Sequence, residues 1–170
     1  KPDRRQRQMC IRDRINPLNY QIPSDISSAA FFIVLTALSK NSKIVIKNVN
    51  INPSRIGVIT ILKKMGVKIF FRNRNIYKGE EIADICVLSS KKLNSIKCPT
   101  HLNSSAIDEF LVIFLVAAKA KGISYFRDIA ELNTKESPRL KLASKILKMM
   151  GVKNILTVSY THLTLPTIRL

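Results

Sequence analysis

Lys63-Lys64-Met65-Gly66-Val67-Lys68 returns about 80 residues later as Lys148-Met149-Met150-Gly151-Val152-Lys153, and this echo decides the fold. In each copy a glycine followed by valine closes a lysine-rich run. That is the signature of a helix ending at a residue in the left-handed conformation, which glycine adopts at least cost. Outward from the first copy, Ser24-Asp25 caps an apolar helix over Ile26–Leu38, and 43–49 (KIVIKNV) alternates as a strand. Pro53 or Ser54 opens the helix that reaches Met65, and short strands follow at 67–71, 76–77 and 83–88, separated by Asn-Arg-Asn and Lys-Gly-Glu turns. The second copy repeats this order. Ser104-Ser105 caps an apolar helix running to about Lys121, Gly122 ends it, and Ile123–Phe126 is a strand closing on Arg127-Asp128 as the earlier one closes on Lys47-Asn48. A further helix begins near Ser137-Pro138, where proline suits a first turn. The pattern predicts stacked α/β units around one core, with Phe31, Phe32, Val34 and Leu35 inside it.

Composition bounds the function. The 170 residues are 46% apolar and 24% charged, as expected of a globular domain, and the net charge of +18 invites a nucleic-acid reading. A Lys-, Ile- and Asn-rich composition, or a site for anionic small molecules, accounts for the charge equally well. Aromatic residues are only 6% with no Trp, which leaves few stacking platforms for single strands. Cys10, Cys86 and Cys98 form no CxxC pair, and His101 and His162 stand alone, so neither a zinc site nor a disulfide framework is expected. The longest apolar run, 110–118, is far short of the ~20 residues of a membrane span, and no apolar region follows the basic start as in a signal peptide. A reduced, cytoplasmic protein is expected.

The two ends stand apart. Met9-Cys10-Ile11-Arg12-Asp13 can be written ATG TGT ATA AGA GAC, and its reverse complement, GTC TCT TAT ACA CAT, encodes Val158-Ser159-Tyr160-Thr161-His162. Codons for Arg4-Arg5-Gln6-Arg7-Gln8 likewise complement to Leu163-Thr164-Leu165-Pro166-Thr167. One oligonucleotide read on both strands, similar to a sequencing-library adapter, therefore explains both ends. Residues 1–14 and 158–170 are expected to be adapter-derived and disordered, with 15–157 as the folding segment. Setting aside +4 at 1–14 and +1 at 158–170 takes the net charge from +18 to +13.

Two places carry candidate chemistry. Asp108 and Glu109 open the second apolar helix. They are either charges favourable to a helix N-terminus or, for Asp108, a general base at the edge of a buried helix. In the polar run 131–139 (ELNTKESPR), Lys135 and Arg139 either converge on an anion at a helix start or belong to a solvated loop. Asp25, Ser27 and Ser28 read as caps rather than ligands.

Five ordered segments together resemble the 5-enolpyruvylshikimate-3-phosphate synthase family of enolpyruvyl transferases: IPSDISSAAFF (22–32), NVNINPSRIG (48–57), LKKMGVKI (62–69), IDEF (107–110) and ELNTKESPRL (131–140). The resemblance covers residues 20–153. It departs at Ser24, where the family usually has Gly, at Leu111 in place of Pro, and at Pro138 in place of a common Asp.

The resemblance implies an α/β fold of repeated βαβαββ units around buried parallel helices, an inside-out barrel, with about two of the three units of one domain in residues 15–157. It implies transfer of the enolpyruvyl group from phosphoenolpyruvate to the 5-hydroxyl of shikimate-3-phosphate in aromatic amino-acid biosynthesis. Asp108 and Glu136 would handle protons, while Lys135, Arg139 and Glu131 would bind substrate. No metal or organic cofactor, no nucleic acid and no membrane is implied, and the full-length protein would be a monomer. The competing readings are a UDP-N-acetylglucosamine enolpyruvyl transferase and a basic nucleic-acid-binding α/β domain. The Ser27-Ser28 pair and Lys135-Glu136-Ser137 favour the first family.

Overall fold

The computed structural model describes residues 19–134, 136–157 and 162–166. The expectation for 1–14 lies outside the described residues, as do Cys10 and Lys135. Two α/β units follow one another with the same topology. The first contains α1 (Ile26–Leu38), β1 (Lys43–Asn50), α2 (Gly57–Lys64), β2 (Lys68–Tyr77) and β3 (Glu80–Leu88). The second contains α3 (Phe110–Lys119), β4 (Ile123–Phe126), α4 (Arg139–Met149), β5 (Ile155–Thr157) and β6 (His162–Pro166). The sheets are ordered β1-β3-β2 and β4-β6-β5. In each, the middle strand is antiparallel to both neighbours. The outer strands therefore run parallel, joined by a helical crossover. A parallel bridge adds an entering segment to each sheet, Ser24 beside Val49 and Lys97 beside Tyr125, which completes a βαβαββ order twice.

The echoed stretches perform the same act. Val67 N–H reaches Leu62 O at 3.0 Å and Gly66 N–H reaches Lys63 O at 3.0 Å, while Gly66 holds φ +91°. In the second unit Val152 N–H reaches Leu147 O at 2.8 Å and Gly151 N–H reaches Lys148 O at 3.0 Å, with Gly151 at φ +78°. Both are Schellman stops, and in each the following valine is buried with the leucine five residues before it. The matched pair Asn48 and Asp128 also share positive φ, 49° and 56°. Ser24 has no positive φ, so serine is accommodated at this position without backbone strain.

Several boundaries differ from expectation. Helix α2 begins at Gly57, because the Asn52 side chain takes the Ser54 N–H at 3.0 Å and holds 52–55 as a turn. Asn-Arg-Asn is not a turn: β2 runs through it with a register shift between Arg72 and Asn75. The turn lies at Lys78-Gly79, both at positive φ, as a two-residue hairpin requires. Ser104–Glu109 is a 3-10 helix, with α3 beginning only at Phe110. Ser105 does not cap it; its hydroxyl donates to Leu102 O at 3.0 Å. Pro138 occupies the position before α4 without a capping hydrogen bond, and Arg139 is the first helical residue.

Helices α1 and α3 pack together at the centre. Phe110, Phe114 and Phe126, each 1% exposed or less, form an aromatic triangle with centroids 5.0–5.9 Å apart. Of the four α1 residues expected inside, only Val34 is buried. Phe31, Phe32 and Leu35 are 65%, 55% and 64% exposed, because α1 is apolar all round and the two units cover only one side of it. Within 158–170, where disorder is expected, His162–Pro166 is placed as strand β6. Its alternation puts Leu163 and Leu165, both fully buried, against Phe126, Ser124 and Leu156 in the middle of the second sheet. The rest of that segment lies outside the described residues. Cys86 and Cys98 are buried free thiols, the latter pushed up to about 11 by burial.

Asp84, on the middle strand of the first sheet and 4% exposed, ties both neighbours. It accepts from Lys47 Nζ at 2.7 Å and Asn48 N–H at 3.0 Å on one side, and from Asn73 Nδ2 at 2.8 Å on the other. Those contacts fall where β1 and β2 each shift register, so one carboxylate satisfies the donors that the irregularities free. The Lys47 ammonium, then the Asn48 and Asn73 donors, hold its carboxyl down to about 2. A carboxyl held low stabilises the fold fully above the ordinary carboxylate range and loses that contribution as pH falls towards 2. Urea unfolding of Asp84→Ala at neutral pH should show a loss on the order of 2 kcal/mol. The deficit relative to the parent should shrink between about pH 4 and pH 2.

Candidate functional site

The two units meet at a polar seam beside the start of α3. Asp108 is the fifth residue of the 3-10 turn Ser104–Glu109, whose position is set by contact with the other unit. Gly57, at the start of α2, lies so close to this turn that a β-carbon there would come within 2.2 Å of Ser105 Oγ and 2.8 Å of its carbonyl carbon. No other residue fits without moving the turn. On the far side, Asn103 Nδ2 donates to Arg127 O at 2.8 Å and Asp128 O at 3.0 Å, fixing the turn to the end of β4.

Arg139, first in α4, faces this turn. Its Nη1 donates to Asp108 Oδ1 at 3.1 Å and its Nη2 to Glu136 Oε2 at 2.7 Å. The guanidinium side chain is 26% exposed, against 45% for Asp108 and 80% for Glu136. One arginine thus gathers two carboxylates at a solvent-accessible edge, which leaves both within reach of a ligand. With this much exposure the pairing adds little stability, about 0–1 kcal/mol for each pair. Glu131 lies on the 3-10 turn Ala130–Asn133 leading into this region, and its carbonyl accepts the Thr134 N–H at 3.1 Å and hydroxyl at 3.0 Å. Three of the five residues singled out from sequence, Asp108, Glu136 and Arg139, are joined directly. Glu131 flanks them, and Lys135 lies outside the described residues.

A second chain of contacts, not foreseen from the sequence, crosses the seam. Glu109, 5% exposed, accepts the hydroxyl proton of Ser27 in the other unit. Arg55 Nη2 donates to the same Ser27 oxygen at 3.1 Å and lies 3.8 Å from Asp25 Oδ1. Asp25 caps α1 as expected, accepting Ser28 N–H at 2.8 Å and the Ser28 hydroxyl at 3.1 Å. Burial pushes the Glu109 carboxyl up, opposed by the Ser27 hydrogen bond and reinforced by the Asp108 charge. Partial burial works against ionised Asp25, but the Ser28 N–H and hydroxyl outweigh it and hold that carboxyl low. Ser27 therefore does more than start a helix. The available signal was that Ser27, Arg55 and Glu109 each fall within a recognised segment; nothing in their spacing told which partner each would meet.

A family model described as EPSP synthase (3-phosphoshikimate 1-carboxyvinyltransferase) matches residues 5–162. Among curated relatives, the 3-phosphoshikimate 1-carboxyvinyltransferase of Ruthia magnifica subsp. Calyptogena magnifica is 45% identical over 141 residues, 83% of this chain and 32% of its own length. The chain thus spans about a third of the length of the curated relatives it matches. Among solved structures, EPSP synthase from Acinetobacter baumannii superposes with TM-score 0.82 at 41% identity, over 86% of this chain and 33% of that one. The enolpyruvyl transferase NikO from Streptomyces tendae shares the fold, with TM-score 0.59 at 16% identity over 86% of this chain and 31% of that one.

The tight approach at Gly57 makes a direct test of how the seam holds Asp108. Gly57→Ala should destabilise the chain by about 1–3 kcal/mol through overpacking against Ser105. Chemical-shift changes should concentrate at 103–110, with the remote hairpin at Lys78-Gly79 unmoved. A variant as stable as the parent would show that the turn is not held by this contact.

Proposed function

Since the chain belongs to the EPSP synthase family, we propose that the protein it represents transfers the enolpyruvyl group of phosphoenolpyruvate to the 5-hydroxyl of shikimate-3-phosphate, releasing phosphate. The observation that carries this reading is the Arg139 guanidinium reaching both Asp108 and Glu136. In the proposed reaction the 5-hydroxyl oxygen bonds to C2 of phosphoenolpyruvate while the methylene carbon takes a proton. Loss of phosphate and of one proton from the new methyl group then restores the double bond. Two carboxylates at one edge suit this traffic: Asp108 accepts the hydroxyl proton, and Glu136 is a second proton carrier. Arg139, with Lys135, holds the anionic groups of phosphoenolpyruvate and balances charge that grows on the phosphorylated centre. An anion bound by Arg139 displaces at least one of its two carboxylates, and so frees that carboxylate for proton transfer as substrate arrives. Glu131 borders shikimate-3-phosphate.

The reading implies no cofactor, a cytoplasmic location and a monomeric full-length protein. Among the described residues no helix is long and apolar enough to cross a membrane. Names of the relatives favour shikimate-3-phosphate over a UDP-sugar as acceptor, and family membership favours an enzyme over a basic nucleic-acid-binding domain.

Because the chain spans about a third of its relatives, the experiment is a graft. Residues 19–157 replace their counterpart in the Acinetobacter baumannii EPSP synthase, and phosphate release is followed with both substrates present. The graft should turn over, and Asp108→Asn within it should lower kcat about 10²–10⁴-fold. The 170-residue chain alone should release no phosphate. A graft that folds and binds both substrates yet stays inactive, or one indifferent to Asp108→Asn, would overturn the assignment.

A further inference from the structure

The seam contains one buried carboxylate that the proposed chemistry does not use. Glu109 follows Asp108 directly and reaches into the other unit, where it takes the Ser27 proton. That contact decides what Ser27 can do. With its proton committed to Glu109, the Ser27 oxygen serves as acceptor for Arg55 Nη2 at 3.1 Å. The neighbouring Ser28 hydroxyl is likewise committed to Asp25, at 3.1 Å. Both hydroxyls at the start of α1 therefore point at carboxylates, and an arriving anion meets the Arg55 cation without a hydroxyl donor.

We propose that Glu109 is a positioning residue whose protonation reverses this arrangement: a neutral Glu109 releases the Ser27 proton outward and frees Arg55 to hold an anion at the seam. The step moves one proton onto Glu109 Oε1 or Oε2 and leaves every covalent bond in place. Neutral Glu109 can itself donate to Ser27 Oγ, which leaves the Ser27 hydrogen available to a ligand. It also removes a negative charge near the guanidinium. Burial first, and then the adjacent Asp108 charge, favour the neutral form, while the Ser27 hydrogen bond and the Arg55 cation favour the ionised one, so the two states of this contact compete. Among the described residues, the charged groups acting on Glu109 are Arg55 from the first unit, itself 3.8 Å from Asp25, and Asp108 from its own turn, which is tied to Arg139; Arg139 in turn holds Glu136. Anion binding beside the proposed catalytic edge would thus be coupled to proton uptake. The substrate relevance of this coupling rests on the function proposed above; the coupling itself does not.

Sulfate is the probe, because its charge is constant over the range examined. The full 170-residue chain is titrated with sulfate at about pH 5 and about pH 7.5, with Arg55 side-chain and Ser27 backbone resonances read by NMR. Sulfate should bind about tenfold more tightly at the lower pH in the parent chain. Glu109→Gln, which keeps an acceptor for Ser27 without the charge, should bind with the tighter constant at both pH values. Asp25→Asn should change affinity without abolishing the pH dependence. The proposal is overturned if Glu109→Gln keeps the parent's pH dependence, or if sulfate leaves Arg55 and Ser27 unmoved at both pH values. Repeating the titration with shikimate-3-phosphate separates the two readings. Failure to bind it more tightly than sulfate would count against the substrate assignment while leaving the Glu109 coupling intact.

Discussion

Burial of α1 and α3 is the constraint on which the rest of the structure depends. Both helices are apolar on nearly every side, and such a helix is stable only when other elements surround it. Each is bound to a sheet by a short connection, so packing one helix on the other brings the two units into register. The aromatic triangle of Phe110, Phe114 and Phe126 ties α3 to β4 of its own sheet, and the Gly57–Ser105 approach holds the turn before α3 against the first unit. Asp108, Glu109, Ser27 and Arg55 stand where the apolar packing stops. The polar seam exists because the helices begin there and the backbone turns that enter them need partners.

The helix stops were the most legible part of the fold. Gly66 and Gly151 encode a local geometry that needs no tertiary information, and the repeat they mark gives the order of elements in both units. The starts of α2 and α3 were less legible because side chains near them compete for the backbone. Asn52 draws Ser54 into a turn, and 104–109 winds as a 3-10 helix lying close against Gly57, where any side chain would collide with Ser105. The β2 irregularity resembles a turn in the sequence because the Asp84 carboxylate that takes up its freed Asn73 donor lies on another strand. Asp108, Glu136 and Arg139 could be proposed because recognised segments carry them. Glu109 could not, since its role depends on a serine 82 positions away in the other unit.

The exposed apolar face of α1 follows from the same reasoning. Phe31 lines a groove of about 430 Å³ with Leu111, Leu115, Leu142 and Ile146. Residues that sequence patterning assigns to a core are apolar because something covers them; here the two units cover Val34 and leave Phe31 and Leu35 bare. Patterning reports that a helix is buried on a given side, but not which element buries it.

The strand order has a temporal side. In both sheets the strand in the middle is the last one made: β3 sits between β1 and β2, and β6 between β4 and β5. Until the middle strand emerges during synthesis, the two outer strands of a unit have no partner in each other and their inner edges stay open. Each unit must therefore wait for its own final segment before its sheet can close. The first unit completes this step while the second is still being translated, so nascent-chain folding should advance in two jumps rather than continuously.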